Sequence, residues 1–184
     1  MYCIMLGNNF EDVEALAVID ILRRAKIPVE IFGVGSDKIK SRSNIIYFTE
    51  KIFTTEKDID PSIYEGILLP GGPGVGELAE NQELLKTIKE FHRQKKLIFA
   101  ICAAPLLLDK AGVLEGKKYT CYPGTEIKSG TFVDRKVVID ENIITSRSVG
   151  TALDAALKLV EVIKSKDEAM HLAEKIVYEN YPKD

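Results

Sequence analysis

Tryptophan is missing from this chain of 184 residues, which has only two histidines and three cysteines. The scarcity of histidine restricts Cys₂His₂ zinc sites and Cys-His-Asp hydrolase sites, because either would need one of two imidazoles in the right place. Three cysteines, an odd number without close spacing, do not fit the framework of a disulfide-rich secreted domain. We therefore expect free thiols, a reducing compartment and a cytoplasmic location.

An excess of positive charge is also lacking. The chain has 25 Lys+Arg against 28 Asp+Glu, a net charge of −3, so nucleic-acid binding driven by counterion release is excluded as the main function. The uncharged stretch Leu97–Leu108 contains a proline and ends before Asp109, well short of a membrane span. Met1–Leu6 has no basic leader and too few apolar residues for a signal peptide. We expect no membrane partner and a single domain over residues 1–184.

Short apolar runs alternate with segments of helical periodicity. This alternation predicts an α/β/α sandwich, in which helices flank a doubly wound and mostly parallel sheet. The predicted strands are Tyr2–Leu6, Val29–Val34, Gly66–Leu69 and Leu97–Ile101, with short strands between Ile45 and Phe53 and a hairpin of Val137–Ile139 and Ile143–Thr145. The predicted helices are about Glu11–Ala25, Asn81–Lys95, Ala104–Ala111, Gly150–Lys164 and Lys166–Tyr178.

The first helix combines an apolar stripe with a group of acids at its start. Acids in a first turn are stabilised by the helix dipole, which accounts for Glu11 and Asp12. Glu14 has apolar neighbours, which indicate a carboxyl buried toward the strand ends; helix-start stabilisation is the alternative. A buried carboxyl beside a thiolate would stay protonated and donate a hydrogen bond to sulfur. Pro28 is expected to end this helix, whose predicted buried face includes Val13, Leu16, Ala17, Ile19, Ile21 and Leu22.

Cys102 follows a predicted buried strand and precedes Ala103, Ala104 and Pro105. Ligands of open α/β sheets bind at the carboxyl ends of the strands, where Cys102 is the best candidate nucleophile. A sharp strand-to-helix turn would place its sulfur near a helix N-terminus, which favours the thiolate. The alternative is a small buried hydrophobe without chemistry.

The other two cysteines have weaker claims to a function. Cys3 lies within an apolar strand, which favours inert packing. Cys121 precedes Tyr122 and Pro123 in a predicted loop. It could resolve an oxidised Cys102, although ordinary packing is the favoured interpretation.

A glycine-rich turn, Gly71-Gly72-Pro73-Gly74, follows another predicted strand. It has neither the GxGxxG nor the GxxxxGK spacing, so nucleotide binding is not predicted. Glycine permits close backbone approach, and the amides of Gly72 and Ala103 could face an oxyanion formed when sulfur attacks a carbonyl. A turn that simply needs glycine is the alternative.

Taken together, these motifs resemble the DJ-1/ThiJ/PfpI superfamily, nearer its DJ-1 branch, over essentially the whole chain. The resemblance implies a flavodoxin-like fold, usually a homodimer, with Cys102 as nucleophile and Glu14 as its protonated partner. It also matches Gly72 and Ala103 to the oxyanion amides, and Arg42 to an arginine that reaches the site across the dimer interface. The residues that carry the resemblance are Phe10-Glu-Asp-Val-Glu14-Ala, Asp20-Ile-Leu-Arg23-Arg24-Ala, Leu69-Pro-Gly-Gly72, Ala100-Ile-Cys102-Ala-Ala-Pro105 and Thr145-Ser-Arg-Ser-Val-Gly150-Thr.

One departure from the family pattern matters for the chemistry. Many relatives carry a histidine before proline in the loop after the nucleophile, where this chain has Tyr122. His92 falls near the opposite end of the sheet and His171 in the last helix, so neither is an obvious replacement. A Cys-His protease or amidase mechanism is therefore disfavoured, and Glu14, Tyr122 or water would have to move protons.

The resemblance implies two functions. In the first, Cys102 and Glu14 convert small 2-oxoaldehydes, or their early adducts on proteins, in a glyoxalase or deglycase reaction that needs neither cofactor nor metal; Arg42 and Tyr122 would contact the substrate. In the alternative, the protein is a redox-responsive sensor or chaperone module in which Cys102 becomes a sulfinate.

Overall fold

The computed structural model describes residues 1–181, and residues 182–184 of the predicted single domain lie outside them. Within the described residues, eleven strands are present. In chain order they are β1 (Tyr2–Leu6), β2 (Val29–Val34), β3 (Lys38–Lys40), β4 (Ile46–Phe48), β5 (Lys51–Phe53), β6 (Gly66–Leu69), β7 (Leu97–Ile101), β8 (Lys118–Tyr119), β9 (Thr131–Phe132), β10 (Val137–Asp140) and β11 (Ile143–Ser146).

Helices cover both faces of the central sheet. One buried cluster, which includes Leu22, Phe99 and Leu157, lies on the face covered by the first helix and the last two helices. A second cluster, which includes Ile67 and Leu107, lies on the face covered by the three helices in between. The predicted α/β/α sandwich is therefore confirmed. The helices are α1 (Asp12–Arg24), α2 (Val75–Leu78), α3 (Gln82–Arg93), α4 (Pro105–Lys110), α5 (Ala152–Ile163) and α6 (Lys166–Lys175), with 3₁₀ turns at Glu56–Asp58 and Val149–Thr151.

The strand order places the candidate residues at one edge of the sheet. Over residues 1–181 the central sheet runs β10-β11-β7-β6-β1-β2-β5. β1 pairs in parallel with β2 on one side and with β6 on the other, so the order reverses between β1 and β6. β7 pairs in parallel with β6 and with β11. In doubly wound sheets the crevice at such a reversal, beyond the carboxyl ends of the strands, is where ligands bind.

Several elements differ from the sequence prediction. The segment from Ile45 to Phe53 forms strands as expected, but β4 pairs with the unpredicted β3 while β5 joins the central sheet. β3, β8, β9 and α2 have two to four residues each, too few for a periodic pattern to develop. The chain leaves α1 before Pro28, because Lys26 already has a φ of 59°. The last helix stops at Lys175 rather than at Tyr178.

The predicted buried face of α1 is partly wrong. Val13 and Leu16 are 50% and 43% exposed, whereas Ala15, Val18 and Leu22 are buried. Apolar residues occupy two faces of this helix, so periodicity alone does not identify the inner one. The face that packs inward is the one that carries Glu14 toward the strand ends.

No helix within residues 1–181 combines the length and the hydrophobicity that crossing a bilayer requires. The same residues contain no group of three His, Cys, Asp or Glu side chains placed to hold a metal ion.

Candidate active site

Cys102 lies directly after β7 in a backbone conformation that non-glycine residues rarely adopt. Its φ is 65°, in the left-handed region, where a side chain such as that of cysteine is strained. Two neighbours hold this conformation, because the Cys102 amide donates to the Ser146 carbonyl at 3.0 Å and its carbonyl accepts from the Tyr122 amide at 2.9 Å. Cys102 is 9% exposed. The sharp turn expected after β7 is present, and α4 begins at Pro105.

Glu14 is fully buried, as its apolar neighbours indicated. Its Oε2 accepts a hydrogen bond from the Gly71 amide at 2.9 Å. Its Oε1 is also buried, and it has no hydrogen-bond partner among residues 1–181. The carboxyl lies beside the Cys102 side chain and forms a contact that changes the pKa of both groups. Helix-start stabilisation does not explain such a position, since Glu11 caps α1 by accepting from the Glu14 amide at 2.9 Å.

The pKa of Glu14 is raised to about 7. Burial is the main cause, since an ionised carboxylate loses its hydration, and the nearby charge of Glu11 adds to the effect. The adjacent Cys102 side chain, the hydrogen bond from the Gly71 amide and the charge of Arg42 act in the opposite direction. Near neutral pH a large fraction of Glu14 is therefore protonated and able to donate a hydrogen bond.

The pKa of Cys102 is raised to about 12, first by burial and then by the negative charge and hydrogen bond of Glu14. Contacts with Ser148 and with the Ala103 amide lower it to a smaller extent. The expectation that a helix N-terminus favours the thiolate is therefore wrong for the resting site. α4 has only six residues, and burial together with the adjacent carboxylate outweighs its dipole.

Because the two groups lie side by side in a buried site, we expect Cys102 and Glu14 to titrate as a coupled pair. Ionising either group raises the pKa of the other, because two negative charges in a buried site repel each other. The thiol–carboxylate and thiolate–carboxylic acid forms carry the same net charge. Moving the proton from sulfur to Glu14 creates the nucleophile without adding charge to the buried site.

The backbone of the glycine turn after β6 lies against both Cys102 and Glu14. A Cβ on Gly71 would lie 2.6 Å from the Cβ of Cys102 and 2.7 Å from Glu14 Oε2. Gly72 has a φ of 108°, and a Cβ there would lie 2.5 Å from the Asn9 carbonyl oxygen. The close backbone approach expected of these glycines is present. That the Gly72 and Ala103 amides bind an oxyanion stays a prediction.

The family of the chain follows from its sequence match. A model of the DJ-1/PfpI family matches residues 2–162. The chain belongs to the DJ-1/PfpI family. It is 34% identical over 186 residues to Protein DJ-1 homolog B of Arabidopsis thaliana, covering 98% of this chain but 42% of that protein. It is 32% identical over 176 residues to Protein dj-1beta of Drosophila melanogaster, covering 92% of each.

Two further comparisons concern fold and activity. The crystal structure of Drosophila melanogaster DJ-1beta matches with a TM-score of 0.88 and 30% identity, covering 96% of both chains, which confirms the DJ-1-type flavodoxin-like fold. A Caenorhabditis elegans member of the DJ-1/PfpI family, Glutathione-independent glyoxalase DJR-1.2, is 28% identical over 169 residues, covering 90% of this chain and 89% of that protein.

Arg42 lies beside the site of its own chain. Its amide donates to the Phe10 carbonyl at 3.0 Å, and its charge lowers the pKa of Glu14. The Arg42 side chain is exposed. That Arg42 reaches a second site across a dimer interface stays a prediction.

The Tyr122 loop contacts the backbone of the nucleophile. The Tyr122 side chain is half-exposed, and its amide bonds to the Cys102 carbonyl. His92 lies in the last turn of α3 and lines a cavity of about 650 Å³ with Glu90 and Val113, away from the Cys102 turn. His171 is exposed on α6. Neither histidine takes the place of the loop histidine found in many DJ-1/PfpI proteins.

The remaining cysteines are buried. Cys3 donates to the Gly66 carbonyl at 3.6 Å, which agrees with inert packing. Cys121 is buried in the core cluster on the α3 side, whereas Cys102 belongs to the cluster on the α1 side. Burial raises the pKa of Cys121, which disfavours its thiolate.

Sequence reasoning missed two contacts of this DJ-1/PfpI site. It assigned an oxyanion role to Gly72, but not the hydrogen bond that Gly71 donates to Glu14. It also assigned no role to Ser148, whose Oγ donates to Cys102 Sγ at 3.9 Å. The available signals were its position just after a predicted strand and its place in the motif from Thr145 to Thr151.

The raised pKa of Glu14 makes the free energy of unfolding depend on pH. The folded chain holds a proton on Glu14 up to about pH 7, whereas the ordinary value is 4.5. Stability from this group is therefore present below pH 4.5 and is lost as the pH rises through 7, by about 3 kcal/mol. Glu14→Gln stays neutral and should abolish this loss. Urea unfolding at about pH 5 and about pH 8 measures the change.

The exposed Glu80→Gln variant is the control and should keep the wild-type pH dependence. An equal pH dependence in Glu14→Gln and wild type would show that Glu14 does not hold the proton.

A methyl group at position 71 should disturb the site. In Gly71→Ala the new Cβ displaces either the Cys102 turn or the Glu14 carboxyl, at a cost of about 1–3 kcal/mol in the free energy of unfolding. Gly76→Ala is the matched control, because a Cβ at Gly76 in α2 meets nothing within 4 Å. Thermal unfolding and the alkylation rate of Cys102 should both change in the first variant alone. A Gly71→Ala protein that matches Gly76→Ala in both measurements would contradict the described packing.

Proposed function

We propose that this DJ-1/PfpI protein is a cofactor-independent glyoxalase, with deglycase-like activity, that acts on small 2-oxoaldehydes or on their early adducts with proteins. The observation that carries the proposal is the buried Glu14 carboxyl beside Cys102, with a pKa near 7. A group with that pKa can donate and accept protons at neutral pH. The glyoxalase name of the Caenorhabditis elegans relative supports the same reaction class.

The proposed reaction begins with transfer of the Cys102 proton to Glu14. The thiolate then attacks the aldehyde carbon of methylglyoxal, a C–S bond forms, and the aldehyde oxygen takes the proton from Glu14 to give a hemithioacetal. The Glu14 carboxylate next removes the proton from that carbon and passes it to the ketone oxygen, so that an enediol forms.

Glu14 then takes the hydroxyl proton from the former aldehyde carbon and delivers it to the neighbouring carbon, which gives a thioester of lactic acid on Cys102. The aldehyde carbon is oxidised while the ketone carbon is reduced, so no external electron acceptor is needed. Water then hydrolyses the thioester, releases lactate and restores the thiol. Arg42 and Tyr122 are proposed to contact the substrate, and Gly72 and Ala103 to donate their amides to the oxyanion formed by attack.

Purified protein given methylglyoxal should form lactate, measured by an enzymatic lactate assay. Cys102→Ser should abolish the activity, because an alkoxide is far harder to form than a thiolate. Glu14→Gln keeps the shape but cannot shuttle protons, so it should lower kcat by about 10²–10⁴-fold. Cys3→Ser, a buried substitution outside the site, should retain wild-type turnover. Unchanged lactate formation in Cys102→Ser would refute the proposal.

The second candidate function that we propose is that of a redox-responsive sensor or chaperone module, in which Cys102 is oxidised to a sulfinate. It is favoured by the Ala103 amide, which lies within hydrogen-bond reach of the Cys102 sulfur and is available to a sulfinate oxygen. Protonated Glu14 would donate to the second oxygen. The residual exposure of Cys102 admits a molecule as small as peroxide.

Mild peroxide treatment followed by intact mass and peptide mapping tests this function. The mass of two oxygen atoms should appear on Cys102, and Glu14→Gln should form less sulfinate at the same dose. Cys3 and Cys121, both buried, are internal references within the same sample. Oxidation of either reference while Cys102 stays reduced would argue against the sensor.

We also propose that the protein is a homodimer in a reducing, cytoplasmic compartment. Large apolar side chains are exposed on α1 and on the β3–β4 hairpin. The two elements are neighbours, because the Tyr47 hydroxyl on the hairpin donates to Asp12 Oδ1 on α1 at 2.9 Å. A second copy that covers this surface would place Arg42 at the boundary between the two sites. The exposed side chains are Val13, Leu16, Ile45, Ile46 and Phe48.

Phe48 is 75% exposed, so Phe48→Glu should leave the fold intact while placing a charge in the proposed interface. Sedimentation velocity should give a dimer for the wild type and a monomer for Phe48→Glu. Val177→Glu, an equally exposed position near the other end of the chain, should remain a dimer. A monomeric wild type would exclude the interface.

A further inference from the structure

Ser148 is a side chain at the reactive sulfur to which neither the motifs nor the proposed mechanism assigns a role. Its Oγ donates to Cys102 Sγ at 3.9 Å. The hydroxyl is partly buried, and the contact lowers the pKa of Cys102. A distance near 3.9 Å is long for a neutral thiol acceptor and can shorten when sulfur becomes negative, because charged acceptors form shorter hydrogen bonds.

Buried hydroxyl groups hold the turn that carries Ser148. The Ser148 amide donates to Thr151 Oγ1 at 3.1 Å, and Thr151 Oγ1 donates to the Ser148 carbonyl at 2.9 Å. Thr151 Oγ1 also lies 2.7 Å from the Oγ of the fully buried Ser146. These contacts fix the backbone of Ser148 from both sides, so its hydroxyl is positioned without help from a ligand.

The same segment also holds the backbone of the nucleophile. Ser146 pairs with Ile101 where β11 and β7 run in parallel, and its carbonyl accepts from the Cys102 amide at 3.0 Å. Residues 146–148 therefore contact Cys102 twice, once at its amide and once at its sulfur. Any shift of this segment would change both the turn and the orientation of the hydroxyl.

We propose that Ser148 is a positioning residue, which orients the sulfur of Cys102 and stabilises its negative charge when the proton moves to Glu14. This role deepens the proposed glyoxalase function and rests on it for its catalytic meaning. A serine hydroxyl stays neutral across the working pH range, unlike an imidazole. The donor is therefore equally available at every pH, and it shifts the midpoint of the pH profile of Cys102 without adding a titration of its own.

The test is the pH dependence of Cys102 alkylation by iodoacetamide, followed by peptide mass spectrometry. Ser148→Ala should lower the alkylation rate near neutral pH by about three- to tenfold, less than a strong charged hydrogen bond would give, because the contact is long and partly exposed. The midpoint of its pH profile should move upward. Ser148→Thr, which keeps the hydroxyl, should restore both.

A second pair of variants separates the hydroxyl from the shape of the side chain. Ser148→Thr and Ser148→Val have nearly the same volume and differ in one hydroxyl group, so only the valine variant should lose reactivity. Ser165→Ala removes the hydroxyl that caps α6 away from the site and should alkylate like the wild type. Coinciding pH profiles for wild type, Ser148→Ala and Ser148→Val would overturn the proposal.

Alkylation needs no turnover, so this test is independent of the proposed function. If the wild type forms no lactate but Ser148→Ala alkylates more slowly, the glyoxalase proposal fails and the positioning role stands. If lactate forms, Ser148→Ala should lower kcat with little change in KM, since Ser148 acts through the sulfur. Equal kcat values in Ser148→Ala and the wild type would count against the positioning role even in an active enzyme.

Discussion

The hydrogen bond from the Gly71 amide to the Glu14 carboxyl, 2.9 Å long, is the contact on which the arrangement of the site depends. It joins the first turn of α1 to the loop after β6, at the point where the strand order reverses. It also compensates part of the cost of burying a carboxyl group. Glu14 and Cys102 lie so close to Gly71 that position 71 has no room for a Cβ. The close approach of these two groups therefore requires glycine at this position as much as it requires the acid and the thiol.

That close approach determines how the site carries charge. Burial raises the pKa of both groups, and the negative charge of Glu14 raises the pKa of Cys102 further. A thiolate can form without a second negative charge in the site only if Glu14 is protonated. The chemistry of Cys102 thus depends on two residues, and backbone hydrogen bonds to Ser146 and Tyr122 hold the turn that places the sulfur beside Glu14.

Much of the fold could be predicted from the sequence, because buried parallel strands are apolar throughout and glycine or proline marks their ends. The burial of Glu14 could also be predicted, since its neighbours are apolar. The exposure of Val13 and Leu16 could not, because apolar residues occupy two faces of α1. The raised pKa of Cys102 and its contact with Ser148 depend on distances between strand ends, and sequence patterns give the order of those strands but not their separations.

Neighbouring residues of α1 lie on opposite faces of the helix, one buried against the site and one exposed. Glu14 points inward to the sulfur, while Val13 and Leu16 on the same two turns are exposed. A rotation of the helix by a fraction of a turn would move all three side chains together, because they share one rigid backbone. A substitution on the outer face that rotates α1 would therefore also move the Glu14 carboxyl relative to the Cys102 sulfur, so the surface of this helix and the protonation of the site are mechanically linked.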